Sequence, residues 1–297
     1  MKITLLAKNI LGSRLFHLSS ILAATAAVFV FFHIFFPVDR LDHTPLPFHI
    51  ERGQGSYHIA RNLETAGLIR SRGMFTLYAF FTGDAFKLQS GDYSLTPSLN
   101  AHDILGKFVE GDVVQEAITI IEGWNSKDIE AYLATKGIHS NIPPDAEGYL
   151  FPDTYYVQRG ISGYELVEMM RKNFDKKFNE NLKQETEKQK KTVHQIVTMA
   201  SLIEREVQTP EDKRLVSGIL WKRLQYGIPL QVDAEPDTYT YRGLPSRPIA
   251  NPGLESIKAA LEPTESPYWF YLSARDGTTI FTRNFEEHKA AKAKYLQ

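Results

Sequence analysis

A long apolar run near the N-terminus constrains this chain more than any other feature of its sequence. Residues 15–36 read LFHLSSILAATAAVFVFFHIFF and contain no Asp, Glu, Lys or Arg. A helix over this run would be about 33 Å long, enough to cross a hydrocarbon layer of ~30 Å. The run therefore predicts a transmembrane helix over 15–36, preceded by a short tail over 1–14.

The charges that flank the run predict its orientation. Lys2, Lys8 and Arg14 precede it, whereas two acids and one arginine follow it. Because basic residues stay on the cytoplasmic side, we expect a single-pass protein of the inner (cytoplasmic) membrane, with a cytoplasmic N-terminus and a periplasmic or extracytoplasmic body. A cleaved signal peptide is the alternative, since Ala24 and Ala26 form an A-x-A pattern, but the apolar run continues well beyond that pattern.

Charge and cysteine content exclude several classes of function. The chain carries 34 Lys and Arg against 35 Asp and Glu, a formal net charge of −1. A dedicated nucleic-acid binder needs a surplus of basic residues, so we expect no nucleic-acid partner. Cysteine is absent, which excludes disulfides, thiolate metal sites and a cysteine nucleophile.

The rest of the chain divides into a short linker and two bodies. Residues 37–46 carry three charged residues and two prolines, Pro37 and Pro45, and predict a tether. Residues 47–114 alternate strand-like and helical patterns between small turns, which predicts a βααβ-like unit. Residues 115–297 predict a larger body of mixed helices and strands, including a hairpin around Asp276 and Gly277. The fold class that we expect is α+β.

One helical segment carries a pair of acids. Thr192 and Gln195 form a capping-box pattern, and apolar residues then recur at helical spacing, which predicts a helix over about 193–207. Glu204 and Glu206 fall on opposite edges of its apolar stripe, about 160° apart around the axis. Either could be a partly desolvated general acid, and either could be a solvated flank. Helical geometry alone does not choose between them.

Loops near this helix in the sequence are rich in aromatic residues. Such side chains, mixed with acids and amides, are typical of carbohydrate clefts, although the group before the hairpin is also typical of strand core. The aromatic residues are Tyr149, Phe151, Tyr155, Tyr156, Tyr239, Tyr241, Tyr268, Trp269, Phe270 and Tyr271. His194 and His288 have no second ligand at metal spacing, so we expect no metal. Motifs of serine hydrolases and nucleotide enzymes are absent from the sequence.

Five sequence blocks, in this order, resemble the YceG/MltG family of endolytic murein transglycosylases. The blocks are EGYLFPDTYY at 147–156, MASLIEREV at 199–207, RLQYGIPLQVD at 223–233, TYRGLPSRPIANPG at 240–253 and SIKAALEPTESPYWFYL at 256–272. The IEG at 121–123 and the single N-terminal membrane segment agree with the same family. The resemblance covers nearly the whole chain.

The resemblance implies a lyase that acts on peptidoglycan. Such an enzyme cleaves the MurNAc–GlcNAc bond of nascent glycan strands and leaves a 1,6-anhydroMurNAc end, which terminates strand elongation. It also implies a LysM-like subdomain over 47–114 and a YceG-like catalytic domain over 115–297, with a helical site like that of lytic transglycosylases. No cofactor is implied. The implied partners are peptidoglycan glycan strands, the inner membrane and peptidoglycan synthases.

The resemblance also assigns residues. The first acid of the A-S-φ-φ-E-x-E block falls on Glu204, which is the implied catalytic residue, and Glu206 is then expected to support the fold or the cleft wall. The implied substrate-binding residues are Glu147, Tyr149, Gln231, Asp233, Tyr241 and Asn251.

One departure leaves alternatives open. Family members carry a longer insert after the L-Q-x-D block, and some two dozen residues of it are missing here after Asp233. A missing cleft wall would open the groove and change the product length or the activity. One alternative is a muramidase, a hydrolase in which Asp233 or Glu147 is the second carboxylate. The other is a non-catalytic glycan-binding scaffold for cell-wall synthesis.

Overall fold

The computed structural model describes residues 20–296, which fall into two compact units, divided between Glu116 and Ala117. The first described element is helix α1, over 20–35. The predicted tail over 1–14 and the first residues of the predicted membrane segment lie outside the described residues. Within residues 20–296, no helix combines the length and the hydropathy that a membrane crossing requires.

The first unit packs three helices against a two-stranded sheet. Strands β1 and β2 are antiparallel, with Phe48 paired to Tyr93. The core includes these two side chains together with Ile59, Phe75 and Phe108. After α1, the elements are β1 (Leu46–Ile50), α2 (Ser56–Thr65), α3 (Arg72–Phe81), β2 (Gly91–Leu95) and α4 (Ala101–Glu110).

The second unit is mainly helical, with two small sheets. Strand β3 pairs with β4, and β5 forms an antiparallel hairpin with β6 around the predicted turn at Asp276 and Gly277. The elements are β3 (Gln115–Thr119), α5 (Ser126–Thr135), β4 (Thr154–Gln158), α6 (Gly163–Lys177), α7 (Glu180–Lys188), α8 (Val193–Glu206), α9 (Pro210–Gln225), α10 (Leu254–Leu261), β5 (Phe270–Ser273), β6 (Thr279–Thr282) and α11 (Phe285–Tyr295).

Helix α8 is the centre of the second unit, and its local sequence explains where it begins and ends. The predicted capping box is confirmed, because the Thr192 hydroxyl accepts from the Gln195 amide at 3.1 Å and the Gln195 side chain accepts from the Thr192 amide at 2.8 Å. The helix ends where Val207 becomes extended at φ −144°. Apolar side chains of α8 pack with those of α9 and α10 in one hydrophobic core. The helix therefore holds its C-terminal glutamates on a rigid support.

Candidate active site

Glu204, the residue that the sequence blocks suggest, is enclosed by its neighbours. One carboxylate oxygen accepts from the Lys213 ammonium on α9 at 2.9 Å, and the other accepts from the Gly253 amide at 2.9 Å. Only 7 % of the Glu204 side chain and 5 % of the Lys213 side chain are exposed. Glu204 thus ties α8 to α9 and to the start of α10.

A second acid lies beside this group. A β-carbon added at Gly253 would lie 1.8 Å from an oxygen of Glu122, so only glycine allows so close an approach. Burial raises the pKa of Glu122, and the neighbouring Glu204 carboxylate raises it further. The loop with Glu122 is fastened to α8, because Arg205 donates to the Gly123 carbonyl at 3.1 Å.

Glu206 has a different environment. It lines a cavity of about 370 Å³ together with Gln231, Asp233, Tyr239 and other residues. Burial raises the pKa of Glu206 most, and the nearby Asp233 also raises it. The hydrogen bond from the Ala234 amide, at 3.4 Å, acts in the opposite direction. Glu206 therefore combines access to a cavity with partial desolvation.

The loop over 230–239 brings Gln231 and Asp233 into this cavity. Gln231 has a left-handed backbone at φ 55°, and its amide donates to the Thr238 carbonyl at 3.0 Å. The Thr238 hydroxyl accepts from the Val232 amide at 2.8 Å. Asp233 accepts from the Tyr239 hydroxyl, which together with burial raises the pKa of Tyr239 to about 12.

Asn251 lies at the centre of a buried network instead of in a cavity. Its side-chain oxygen accepts from the Gly148 and Leu150 amides, both at 2.9 Å. Its amide nitrogen donates to the Trp124 carbonyl at 3.0 Å and to Glu147 at 3.1 Å. A side-chain amide has two acceptor positions and two donors, so the capacity of Asn251 is used within the protein.

Residues between 235 and 241 also line a second, larger cavity. Its volume is about 1010 Å³, and Glu147 and Tyr241 line it together with Thr238 and Arg247. One Glu147 oxygen accepts from the Ser126 amide at 2.9 Å.

The structure therefore separates the residues that the sequence predicted. Gln231 and Asp233 share the smaller cavity with Glu206, whereas Glu147 and Tyr241 share the larger one. The remaining three, Glu204, Tyr149 and Asn251, line neither. The Tyr149 hydroxyl lies 3.1 Å from His194 Nδ1.

Sequence reasoning did not assign several polar residues of the Glu206 cavity to the site. Arg223, Tyr271, His288 and Lys292 are among the residues that line it. The sequence favours strand core for Tyr271 and a structural role for His288, and the helical pattern of α9 gives no separate sign of Arg223. Among residues 20–296, no group of three His, Asp or Glu side chains is placed to hold a metal ion.

Comparison with known proteins identifies the family. The model of the YceG-like family matches residues 48–236 and 237–294. The chain belongs to the YceG-like family. This confirms the resemblance seen in the five blocks. The two matched segments meet between Pro236 and Asp237. This junction lies close to Asp233, after which we expect an insert of the family to be missing.

Named relatives and a solved structure agree. A Bacillus subtilis (strain 168) protein named endolytic murein transglycosylase is 28 % identical over 316 residues, 88 % of this chain and 87 % of that protein. A Streptococcus pneumoniae (strain R6) protein of the same name is 25 % identical over 333 residues, 88 % of this chain but 60 % of that protein. A crystal structure of a YceG-like protein from Listeria monocytogenes has a TM-score of 0.53 and 26 % identity, covering 84 % of this chain and 99 % of that one. The mixed α/β fold is thus that of YceG-like proteins.

Proposed function

We propose that this protein is an endolytic murein transglycosylase, a lyase that cleaves the MurNAc–GlcNAc bond of nascent glycan strands and so terminates their elongation. Membership of the YceG-like family supports the proposal, as do the names of the bacillar and pneumococcal relatives. The observation that carries it is Glu204, which falls at the catalytic position of the resembling block and is enclosed at the end of α8, with 7 % of its side chain exposed. A catalytic carboxyl needs neighbours that hold it in a fixed geometry.

We propose Glu204 as the catalytic residue, as the sequence blocks imply. Both of its oxygens accept hydrogen bonds in the unliganded protein, one of them from the Lys213 ammonium. Contacts in an unliganded site often rearrange when the substrate binds, so they are compatible with proton transfer. Glu206 is the competing candidate, because it lines a cavity and burial raises its pKa.

In this mechanism Glu204 acts first as an acid and then as a base. Protonated Glu204 donates to the oxygen that links MurNAc to GlcNAc, and the C1–O bond breaks with an oxocarbenium-like charge on MurNAc. The Glu204 carboxylate then takes the proton of the MurNAc 6-hydroxyl, whose oxygen bonds to C1. The products are a 1,6-anhydroMurNAc end and a free GlcNAc hydroxyl, and water is not consumed.

The remaining predicted site residues take different roles in this proposal. Gln231 and Asp233 contact the sugars that flank the cleaved bond, since the cavity that they share with Glu206 lies at the end of α8. Glu147 and Tyr241 contact a more distant part of the strand through the larger cavity. Asn251 holds the loop with Glu147 in place, and Tyr149 supports the same region.

A muramidase is the second candidate. Hydrolysis needs a second carboxylate about 5–5.5 Å or about 6.5–9.5 Å from the acid, and Asp233, which lines a cavity at the end of α8 together with Glu206, is the candidate for that carboxylate. Glu147 is a weaker candidate for this role because it lines the other cavity. Hydrolysis would leave a reducing MurNAc end in place of the anhydro end.

Mass spectrometry of the products tests both candidates. The full-length protein in detergent is incubated with uncrosslinked glycan strands, and Glu204→Gln, Glu206→Gln and the surface variant Glu211→Gln are compared. We expect anhydro ends from the wild type, Glu211→Gln and Glu206→Gln, and none from Glu204→Gln at a temperature where circular dichroism shows it folded. Undiminished cleavage by Glu204→Gln would refute its role, and loss of cleavage in Glu206→Gln alone would give that role to Glu206. Reducing ends would indicate the muramidase, and no cleavage by the wild type would favour the scaffold.

We further propose that residues 15–36 anchor the protein in the cytoplasmic membrane. The described part, α1, would be about 24 Å long, and it exposes Leu22, Val28 and Phe31. Because the chain contains no cysteine, a single introduced one is a unique label. An impermeant maleimide should label Arg52→Cys in intact cells but Lys2→Cys only after lysis. Equal labelling of both would refute this topology.

The two bodies have separate roles in this proposal. Residues 47–114 form the LysM-like subdomain, next to the membrane in sequence, and residues 115–297 form the catalytic domain. Nascent strands are made at the membrane, so peptidoglycan synthases are the proposed partners. Crosslinking in cells followed by identification of the captured proteins tests this partnership, which the absence of synthases from the captured set would contradict.

A further inference from the structure

The Glu206 cavity contains a buried cation whose role the proposed reaction leaves open. Arg223 is 4 % exposed, and among the described residues its guanidinium forms no ion pair. It lies against the ring of Phe270, with 4.9 Å between the guanidinium carbon and the ring centroid. Burying a cation without a carboxylate is costly, so its other contacts are expected to explain its presence.

Those contacts both go to the loop that carries the predicted substrate-binding residues. One terminal nitrogen of Arg223 donates to the Leu230 carbonyl at 2.5 Å, and the other donates to the side-chain oxygen of Gln231 at 2.8 Å. A guanidinium has donors and no acceptor. The oxygen of the Gln231 amide must therefore face Arg223, and its NH₂ group must face away.

The backbone of Gln231 reinforces this orientation. The residue has a φ of 55°, a region that non-glycine residues rarely adopt, and the hydrogen bond from its amide to Thr238 holds it there. The side chain is exposed and lines the cavity beside Glu206. Within residues 20–296, no hydrogen bond engages its NH₂ group, so two donors remain available to a ligand.

We propose that Arg223 is a positioning residue, which orients Gln231 so that its NH₂ group donates to an acceptor oxygen of the amino sugar bound next to Glu206. The inference rests on the proposed function. Of the oxygens on such a sugar, the acetamido carbonyl is the best fit, because it only accepts hydrogen bonds whereas hydroxyls also donate. Arg223 itself does not touch the substrate in this arrangement.

Gln231→Glu removes the NH₂ donor of the side chain and keeps its contact with Arg223. Glutamate keeps the shape of the side chain and an oxygen on the guanidinium, but it has no NH₂ group. We expect kcat/KM of the full-length protein to fall roughly tenfold or more, with an unchanged or higher Tm. Gln231→Met, which removes both groups, should lose at least as much activity. Wild-type kcat/KM in Gln231→Glu would overturn the proposal.

A double-mutant cycle tests whether Arg223 acts through Gln231. Arg223→Lys keeps the charge but cannot form both hydrogen bonds of the guanidinium. We expect kcat/KM to fall by a factor similar to that in Gln231→Glu. In the Gln231→Glu background, Arg223→Lys should cost little more, because the donor is already gone. If the fold-losses of kcat/KM in the two single variants multiply in the double variant, Arg223 has an independent structural role, and the proposal is overturned. Arg214→Lys, an exposed arginine on the same helix, is the matched control and should retain kcat/KM and Tm.

Binding measurements keep this inference separate from the proposed function. The same cycle is measured as the Kd for oligomers of N-acetylglucosamine, which offer no MurNAc bond to cleave. Non-additive losses of affinity would support the inference even if the wild type cleaved nothing. Additive losses in both cycles, with normal wild-type cleavage, would refute the inference and leave the proposed function standing.

Discussion

At the scale of single residues, two glutamates on one helix differ because their neighbours differ. Glu204 meets a lysine and a backbone amide, whereas Glu206 meets a cavity and another carboxylate. An ion pair in a nearly dry site holds its partners in place, while a carboxyl that forms no ion pair in a partly desolvated site is held closer to its neutral form. Removing the charge should therefore change the stability of the protein in opposite directions at the two positions.

Glu204→Gln is expected to destabilise the second unit strongly. The amide cannot neutralise Lys213, and a buried charge left without its partner typically costs about 3–5 kcal/mol. The measurement is the free energy of unfolding of this unit in urea. Replacing both residues, by Glu204→Leu and Lys213→Met, should recover much of the loss, since no charge is then buried. Wild-type stability in Glu204→Gln would contradict the role given to the ion pair.

Glu206→Gln is expected to stabilise the folded protein at neutral pH. Burial raises the pKa of Glu206 above 4.5, so the folded state binds the proton more tightly than the unfolded state. Its contribution to stability is present below the unfolded pKa and is lost as the pH rises through the folded pKa. The amide introduced by Glu206→Gln stays neutral at every pH, so the variant should be more stable than the wild type at pH 7.

The difference in stability between Glu206→Gln and the wild type should disappear at acidic pH. Below about pH 4 both proteins carry a neutral group at this position, and their Tm values should converge. Thermal unfolding measured from about pH 4 to about pH 8 gives the difference directly. A variant that is less stable than the wild type at pH 7 would show that Glu206 is a structural acid instead of a desolvated one.

At the scale of elements, close packing of helix α9 constrains one glycine, whereas a glycine on α4 is free and serves for comparison. A β-carbon at Gly218 would lie 2.0 Å from the Thr264 carbonyl oxygen, which is backbone and cannot rotate away. At Gly106, on α4, nothing lies within 4 Å of such an atom. The same substitution should therefore have opposite signs on the two helices.

Gly218→Ala is expected to cost about 1–3 kcal/mol through overpacking, and Gly106→Ala to gain about 0.5–1 kcal/mol because alanine favours the helix. Both free energies of unfolding come from urea titration of the full-length protein. A stabilising Gly218→Ala would mean that α9 does not approach the segment at 264 as closely as described.

At the scale of the whole molecule, the two units do not share a hydrophobic core: among the described residues the first unit has one apolar cluster and the second has two. Leu63 is fully buried in the first unit, and the core around α8 belongs to the second. Leu63→Ala should lower the stability of the first unit by about 2–5 kcal/mol and leave the calorimetric transition of the second in place. One transition that shifts as a whole would contradict independent unfolding.

The sequence by itself determined the helices around the candidate site and the family. Capping residues, apolar spacing and turn residues are local signals, and they predicted α8 and the hairpin at Asp276 and Gly277. The five blocks identified the YceG-like family in the same way. The predicted membrane helix remains a proposal, because part of it lies outside the described residues.

Only the tertiary structure decided which side chains share a cavity. Glu204 and Lys213 are nine residues apart, and Asn251 and Gly148 are 103 apart, so no local pattern could reveal their contacts. The same holds for Arg223, which meets Gln231 across a loop. The pKa of a carboxyl depends on burial and on charges a few ångströms away. The two glutamates of α8 therefore look equivalent in sequence and become different only when the chain packs around them.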